Sequence, residues 1–182
     1  KHSIDILAGN SQELTTYQYL YAYRQNFLNS SLSQLNAAPI LGQQNSGTSN
    51  QLALLSYFGR ARYSFDDKYL FEANLRDDGS SRFASGLRWG LFPSFSAGWN
   101  ISKEPFFGSL SKTIPMLKLR ASCGKLGNQN IGSSYAAISV ISSGQNYSFN
   151  QTTAPGIALN NGANAAITWE RATTPYVGMD FD

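Results

Sequence analysis

LLSYFGRARYSFDDKYLFEANLRDD, residues Leu54 to Asp78, is the stretch whose reading decides the fold. Leu55, Tyr57, Gly59, Ala61, Tyr63 and Phe65 take every second position, and Ser56, Arg60, Arg62 and Ser64 lie between them, with Phe58 out of pattern. Beyond Lys68 the rhythm resumes: Tyr69, Phe71, Ala73 and Leu75 alternate with Glu72, Asn74, Arg76 and Asp78, and Leu70 is out of pattern. Successive side chains of an extended chain point to opposite faces, so this alternation predicts two strands, each with one apolar and one charged face. A three-residue loop at Asp66-Asp67-Lys68 pairs Phe65 with Tyr69, Tyr63 with Phe71 and Ala61 with Ala73, and the apolar faces coincide. A two-residue loop would set Phe65 against Lys68 and turn one strand over.

Outward from the hairpin, the same rhythm predicts four more strands. HSIDILAGN (His2 to Asn10) places Ile4, Ile6 and Ala8 on one face. Leu91 to Lys103 alternates Phe95, Ala97, Trp99 and Ile101 with Ser94, Ser96, Gly98 and Asn100. Met116 to Lys125 sets Leu117, Leu119, Ala121 and Cys123 against Lys118, Arg120, Ser122 and Gly124, and Ile167 to Asp182 closes with Val177, Met179 and Phe181. Between them, residues 12–51 read as a long polar loop with a short helical piece at Tyr17 to Leu28. Residues 79–90 read as a connection, EPFFGSLSKTIP as a compact turn with one helical turn, and 126–165 as a second polar stretch with strand-like pieces such as AAISVI. The connections after the second and fourth strands are the short ones, so variable material gathers at one end.

Composition narrows the function classes. The 182 residues carry a net charge of +3, and 14% of them are charged, too mild a balance for a nucleic-acid surface. One cysteine, Cys123, and one histidine, His2, leave no internal disulfide, no histidine or multi-cysteine metal cluster and no Ser-His-Asp set. An outer-membrane hydrolase barrel therefore lacks its machinery. GKLGNQNIG (Gly124 to Gly132) lacks the Gly-Lys-Ser/Thr ending and the helix that a phosphate loop needs. The Asn-x-Ser/Thr sequons at Asn29, Asn100, Asn146 and Asn150 are chance matches. No apolar run is long enough for a transmembrane helix, whereas a spanning strand needs only about ten alternating residues.

One apolar face, one charged face, and long connections at one end form the pattern of an antiparallel transmembrane β-barrel, in which every backbone group must be paired within the sheet. Tyr63, Phe65, Tyr69 and Phe71 crowd the short-turn end together with Trp99, as an interfacial girdle requires. The fold class expected is therefore all-β, an up-and-down segment of about six strands from a larger barrel, since about eight strands is the usual minimum for closure. A soluble β-sandwich acting as a glycan-binding or adhesin module is the alternative.

Several colinear stretches resemble the SusC/RagA family of TonB-dependent outer-membrane transporters: residues 54–83, RWGLFPSFSAGWNISKEPFF (88–107) and LKLRASCGKLGNQNIG (117–132), with HSIDILAGNSQE and ITWERATTPYVGMDFD at the two ends. The resemblance covers about two thirds of the chain and breaks at the two longest loops. It implies a plugged barrel of the 22-stranded class, a SusD-like surface lipoprotein as lid, uptake of oligosaccharides or peptides, and energy delivered through TonB. It also implies that the plug, the TonB box and the terminal strand lie outside residues 1–182. Cys123 departs from the family pattern, where relatives carry an aromatic.

For candidate sites, the cluster Arg76 to Arg82 is the densest in polar groups, and Asp77, Asp78 and Arg82 with Trp89 suit a sugar or a cation near the outer mouth. The competing reading is a strand end whose Asp and Arg pair with neighbours. Arg60, Arg62, Glu72, Arg76, Lys118 and Arg120 are expected to line the lumen, steering a charged substrate or pairing across strands. Trp89, Tyr135, Tyr147 and Trp169 lie near the loop end, where rings stack on sugars, form an upper girdle or meet the lid. No catalytic residue, metal ligand or cofactor is expected, and Cys123 and His2 are read as inert.

Overall fold

Alternation carries further along the chain than the sequence reading allowed. The computed structural model describes residues 1–110 and 112–182. Its main sheet contains β1 (His2–Tyr23), β2 (Gln44–Phe65), β3 (Tyr69–Ser80), β4 (Trp89–Asn100) and β5 (Leu117–Asn128). Four short strands follow, β6 (Val140–Ser143), β7 (Tyr147–Phe149), β8 (Thr152–Ala154) and β9 (Ile157–Asn161), and β10 (Glu170–Phe181) completes the main sheet. The six-stranded sheet has the order β1-β2-β3-β4-β5-β10, and β6 with β9 and β7 with β8 form two small hairpin sheets. Every registered pairing from β2 to β10 is antiparallel. No helix among the described residues is long and apolar enough to cross a membrane.

The central hairpin has the expected register: Phe65 faces Tyr69, Tyr63 faces Phe71 and Ala61 faces Ala73. Asp66 and Asp67 both take positive φ, 50° and 54°, a region that Asp tolerates better than most residues. The Lys68 amide closes the turn on the Phe65 carbonyl at 2.9 Å. From β2 to β10, each registered pair joins odd with odd or even with even residues, so one parity occupies each face of the sheet. The odd face carries the apolar set and the even face the polar one.

Four expectations are corrected. Residues 12–51 are not one loop with a helical piece: β1 runs on through Tyr23 and β2 begins at Gln44, leaving 24–43 as the connection with a single 3-10 turn at Leu35–Ala37. The physical reason lies in TTYQYLYAY, where tyrosine recurs with period two, and Tyr and Thr favour extended backbone. β3 continues to Ser80, so the connection to β4 shrinks to 81–88, and the length asymmetry rests on 24–43 and 129–169. β4 stops at Asn100 because 101–103 and 105–107 wind into 3-10 turns, with Pro105 opening the second. Ile167 and Trp169 precede β10 and belong to a core cluster instead.

Large exposures mark the odd face. Phe95 is 61%, Phe181 71% and Val177 81% exposed, values that a sandwich core face would not show. The buried cluster lies elsewhere: Phe83, Phe92 and Trp169 pack together, with Leu54, Ile131 and Ile167 against them, at the end where β3, β4 and β10 meet the connections 81–88 and 129–169. The chain divides into two compact units, residues 1–13 with 53–182, and residues 14–52.

Candidate functional site: a polar sheet face with an anchored loop end

The polar face is built by cross-strand charge pairs. Arg62 stands directly opposite Glu72 and donates through Nε to its carboxylate at 2.5 Å. Glu72 also accepts from Asn74 Nδ2 at 2.9 Å, and Arg60 reaches Asp5 of β1 at 3.5 Å. Arg120 pairs with Asp180 of β10 at 2.8 Å, and its guanidinium lies 5.6 Å from the centre of the Tyr176 ring. Lys118 sits opposite Asp180 in the register. Five of the six residues expected on this face thus bracket its middle, and Arg76 extends it toward the loop end. Ser64, Ser96, Gly98 and Ser122, together with several of these charged groups, line a concavity of about 510 Å³ on the sheet. The two apolar residues out of pattern fit here as well. Phe58 lies across Gly9 of β1 beneath the Arg76 guanidinium, 5.8 Å from its ring centre, and Leu70 stands opposite Gly98.

At the loop end, the structure separates the residues that the sequence grouped. Asp78 is buried and takes two hydrogen bonds from Arg76 Nε, at 2.8 and 2.9 Å, while Arg76 Nη2 donates to the buried Ser56 at 2.9 Å. Asp78, Arg76 and Ser56 thus satisfy one another on the even face. Asp77 has the opposite parity, next to Tyr57 and Leu91 in the register. Arg82 leaves the strand and donates through Nη1 to the Ser133 carbonyl at 3.0 Å, tying 81–88 to the connection after β5. Trp89 turns to the odd face, over Gly79, with its ring 6.0 Å from that of Tyr57. Asp78 and Trp89 therefore lie on opposite sides of the sheet.

Two further ties went unread in the sequence. The buried Ser80 donates to Gln129 Oε1 at 2.7 Å, and Trp169 Nε1 donates to the Arg88 carbonyl at 2.8 Å. Both join residues far apart in the chain, and no local pattern announces such pairs. The sequence places Trp169 at the start of the last strand and among the loop-end aromatics, with no sign of a core role. Its ring, 5.4 Å from Phe83 and 5.3 Å from Phe92, is the centre of the buried cluster. Tyr147 packs tilted against Phe149 within the β7–β8 hairpin sheet, and Tyr135 is exposed in the connection before β6.

The opposite, short-turn end has its own knot. Glu104 accepts from Tyr69 Oη at 2.7 Å and Trp99 Nε1 at 3.1 Å with one oxygen, and from Lys68 Nζ at 3.1 Å with the other. These bonds, the Tyr69 hydroxyl first, hold its carboxyl below the ordinary value of 4.5 against the opposing effect of desolvation. Rings line the odd face at this end, with Phe65 6.3 Å from Tyr69 and Tyr69 6.4 Å from Trp99. His2 joins them at 4.8 Å from Phe65 and meets the Tyr63 hydroxyl at 2.9 Å. Trp89 and Trp99 stand ten positions apart in β4. At about 3.3 Å per residue and a strand tilt of about 40°, that separation is roughly 25 Å, the height of a barrel's apolar band.

Comparison with known proteins decides the family. TonB-dependent receptor P39 of Formosa agariphila is 35% identical over 181 residues, which is 99% of this chain. The chain belongs to the SusC-like TonB-dependent receptors. TonB-dependent receptor SusC of Bacteroides thetaiotaomicron is 38% identical over 135 residues, 70% of the chain. The solved RagAB peptide transporter matches 98% of the chain with a TM-score of 0.82 at 23% identity, and its open-open state gives 0.83 at 24%. At that identity the likeness shows the fold: the six strands are a section of barrel wall. No protein-family model matches the chain. The segment spans 17% of P39, 13% of SusC and 19% of the RagAB chain.

Proposed function

We propose that this segment is wall of an outer-membrane transporter that imports oligosaccharides or peptides, with TonB supplying the energy and a SusD-like lipoprotein covering the mouth. The observation that carries the reading is the strict parity of the sheet. One face is exposed and apolar between two aromatic levels, and the other is polar and internally paired. Hydrocarbon suits the first and a water-filled, plugged lumen the second. In this reading Arg60, Arg62, Glu72, Arg76, Lys118 and Arg120 line the lumen. The pairing of Arg60, Arg62, Glu72, Arg76 and Arg120 makes them a supporting lattice more than a set of free charges for steering. Asp77, Asp78 and Arg82 frame the mouth, Trp89 belongs to the upper girdle, and the plug and TonB-binding parts lie elsewhere in the longer protein.

Relatives support the partners without fixing the cargo. The names of the curated relatives specify TonB dependence, and RagAB is a peptide transporter. The test is a blot of native membranes with antibody to residues 24–43, alongside growth on oligosaccharide or peptide as sole carbon source after deletion of the gene. The expected result is a heat-modifiable outer-membrane band several times heavier than 19.9 kDa, and lost growth on one nutrient class. A soluble band near 19.9 kDa would overturn the reading. Asn at both Asp77 and Asp78 separates frame from ligand: uptake that persists in a correctly folded variant assigns them to the frame.

A further inference from the structure

The unit formed by residues 14–52 has a chemistry of its own. Arg24 is its one charged residue, in a stretch otherwise rich in Ser, Asn, Gln, Thr and Tyr, and it donates to the Ala38 carbonyl at 3.0 Å within the unit. Tyr17, Tyr19, Tyr21 and Tyr23 occupy alternate positions of β1 and are 37–53% exposed. The rings of Tyr21 and Tyr23 lie 6.5 Å apart and within 4° of parallel. With about 6.7 Å between alternate residues, the row is roughly 20 Å long.

The neighbouring strand completes the surface. Gln51 Nε2 donates to Thr16 Oγ1 at 3.4 Å, and the Leu20 side chain comes within 3.8 Å of where a Cβ on Gly47 would stand. Even residues of β1 therefore share a face with odd residues of β2. The tyrosines share theirs with Ser46, Thr48 and Asn50, a row of neutral hydroxyl and amide groups. Ring faces meet the C–H faces of a pyranose, while tyrosine hydroxyls and this neutral row exchange hydrogen bonds with its hydroxyls.

Other occupants fit less well. A nucleic acid or acidic polymer needs Lys and Arg, and the unit has a single arginine, already engaged. A stable protein partner needs about 800 Å² per side with an apolar centre. The row is flanked by Ser46, Thr48 and Asn50 and has no such apolar centre. A membrane girdle sits at one depth, whereas this row runs along its strand.

We propose that the tyrosine face of residues 17–23 binds a neutral oligosaccharide lying along the row. The inference rests on the transporter reading and narrows its cargo from oligosaccharides or peptides to uncharged glycans.

The test is calorimetric titration of the full-length transporter in detergent with maltohexaose, cellohexaose, xylohexaose and mannohexaose, and with hexagalacturonate and a tryptic peptide mixture as charged controls. One neutral hexamer should bind and the charged probes should not. Alanine at all four tyrosines should weaken that binding about tenfold or more, and phenylalanine at all four should stay within about threefold, because stacking survives. Heat-modifiable migration reports the folding of each variant, and Tyr19→Ala alone, expected to bind measurably more weakly, carries the test if the quadruple alanine variant fails to fold. Binding of none of the neutral hexamers, equal binding of hexagalacturonate or peptide, or unchanged affinity in the alanine variants overturns the proposal. So does loss of the lid lipoprotein on purification with sugar affinity intact, which would make the row a protein contact. A parent protein that still migrates as an outer-membrane barrel in those cases leaves the transport reading standing. Absence from the outer membrane removes that reading itself.

Discussion

Phe92 shows how closely single residues are fitted at the loop end. A Cβ on Gly127 would stand 2.1 Å from Phe92 Cζ, and one on Gly90 would stand 2.6 Å from the same atom and 2.9 Å from Trp169 Cδ1. Both glycines allow close approach of the buried ring, which packs edge-on against Trp169. Gly127→Ala is expected to destabilise the full-length protein by about 1–3 kcal/mol through overpacking, measured by thermal unfolding in detergent. Glu104 offers a pH-dependent counterpart at the short-turn end. A carboxyl whose folded-state pKa is depressed contributes stability that is full above its unfolded value and fades as pH falls through the folded one. Glu104→Gln should therefore lower the melting temperature at neutral pH. The gap to the parent should hold down to about pH 5 and close below the ordinary value of 4.5 as the parent's own carboxyl protonates. A gap that widens on acidification would contradict the assignment.

At the scale of elements, parity is the organising fact and was readable in advance for most strands. Apolar residues at every second position of 55–65 and 69–75 mark the faces, and the three-residue turn at Asp66 keeps them matched, because a two-residue loop inverts one strand. The outer halves of β1 and β2 are not legible in the sequence, for a physical reason. Tyr, Thr, Ser and Asn alternate less sharply in polarity than Phe and Arg, so the period of two was hidden in a uniformly polar composition. The site was less legible. Asp77, Asp78 and Trp89 are near neighbours in sequence, but strand pleating sends Asp78 and Trp89 to opposite faces, and long-range bonds such as Ser80 to Gln129 leave no local trace. The face assignment has a direct consequence. Phe95→Arg, near the middle of the apolar band, is expected to cost about 2–4 kcal/mol, whereas Ser96→Arg on the other face costs at most about 1 kcal/mol. Refolding into lipid vesicles with urea titration checks both. Arg62 and Glu72 stand partly exposed, so their double-mutant cycle should return a coupling of only about 0.2–1 kcal/mol.

For the whole molecule, the sheet ends in two unpaired edges, β1 and β10, with exposed apolar side chains on its odd face. In the proposed function, further wall strands pair these edges and lipid covers the apolar face. The central claim is that the face carrying the odd residues of β2 to β5 and β10, with the even residues of β1, meets hydrocarbon, and that the opposite face meets water. The measurement that tests it most directly is a spin-label scan of residues 70–77 in the full-length protein in lipid vesicles, with Cys123 first replaced by Ala. Collision rates with oxygen and with a water-soluble nickel chelate are compared at each position. The account expects oxygen to dominate at 71, 73 and 75 and the chelate to gain at 70, 72, 74 and 76, with oxygen accessibility peaking at the residues nearest the middle of the band. Odd positions shielded from both reagents, or no alternation at all, would contradict it and return the segment to a soluble sheet.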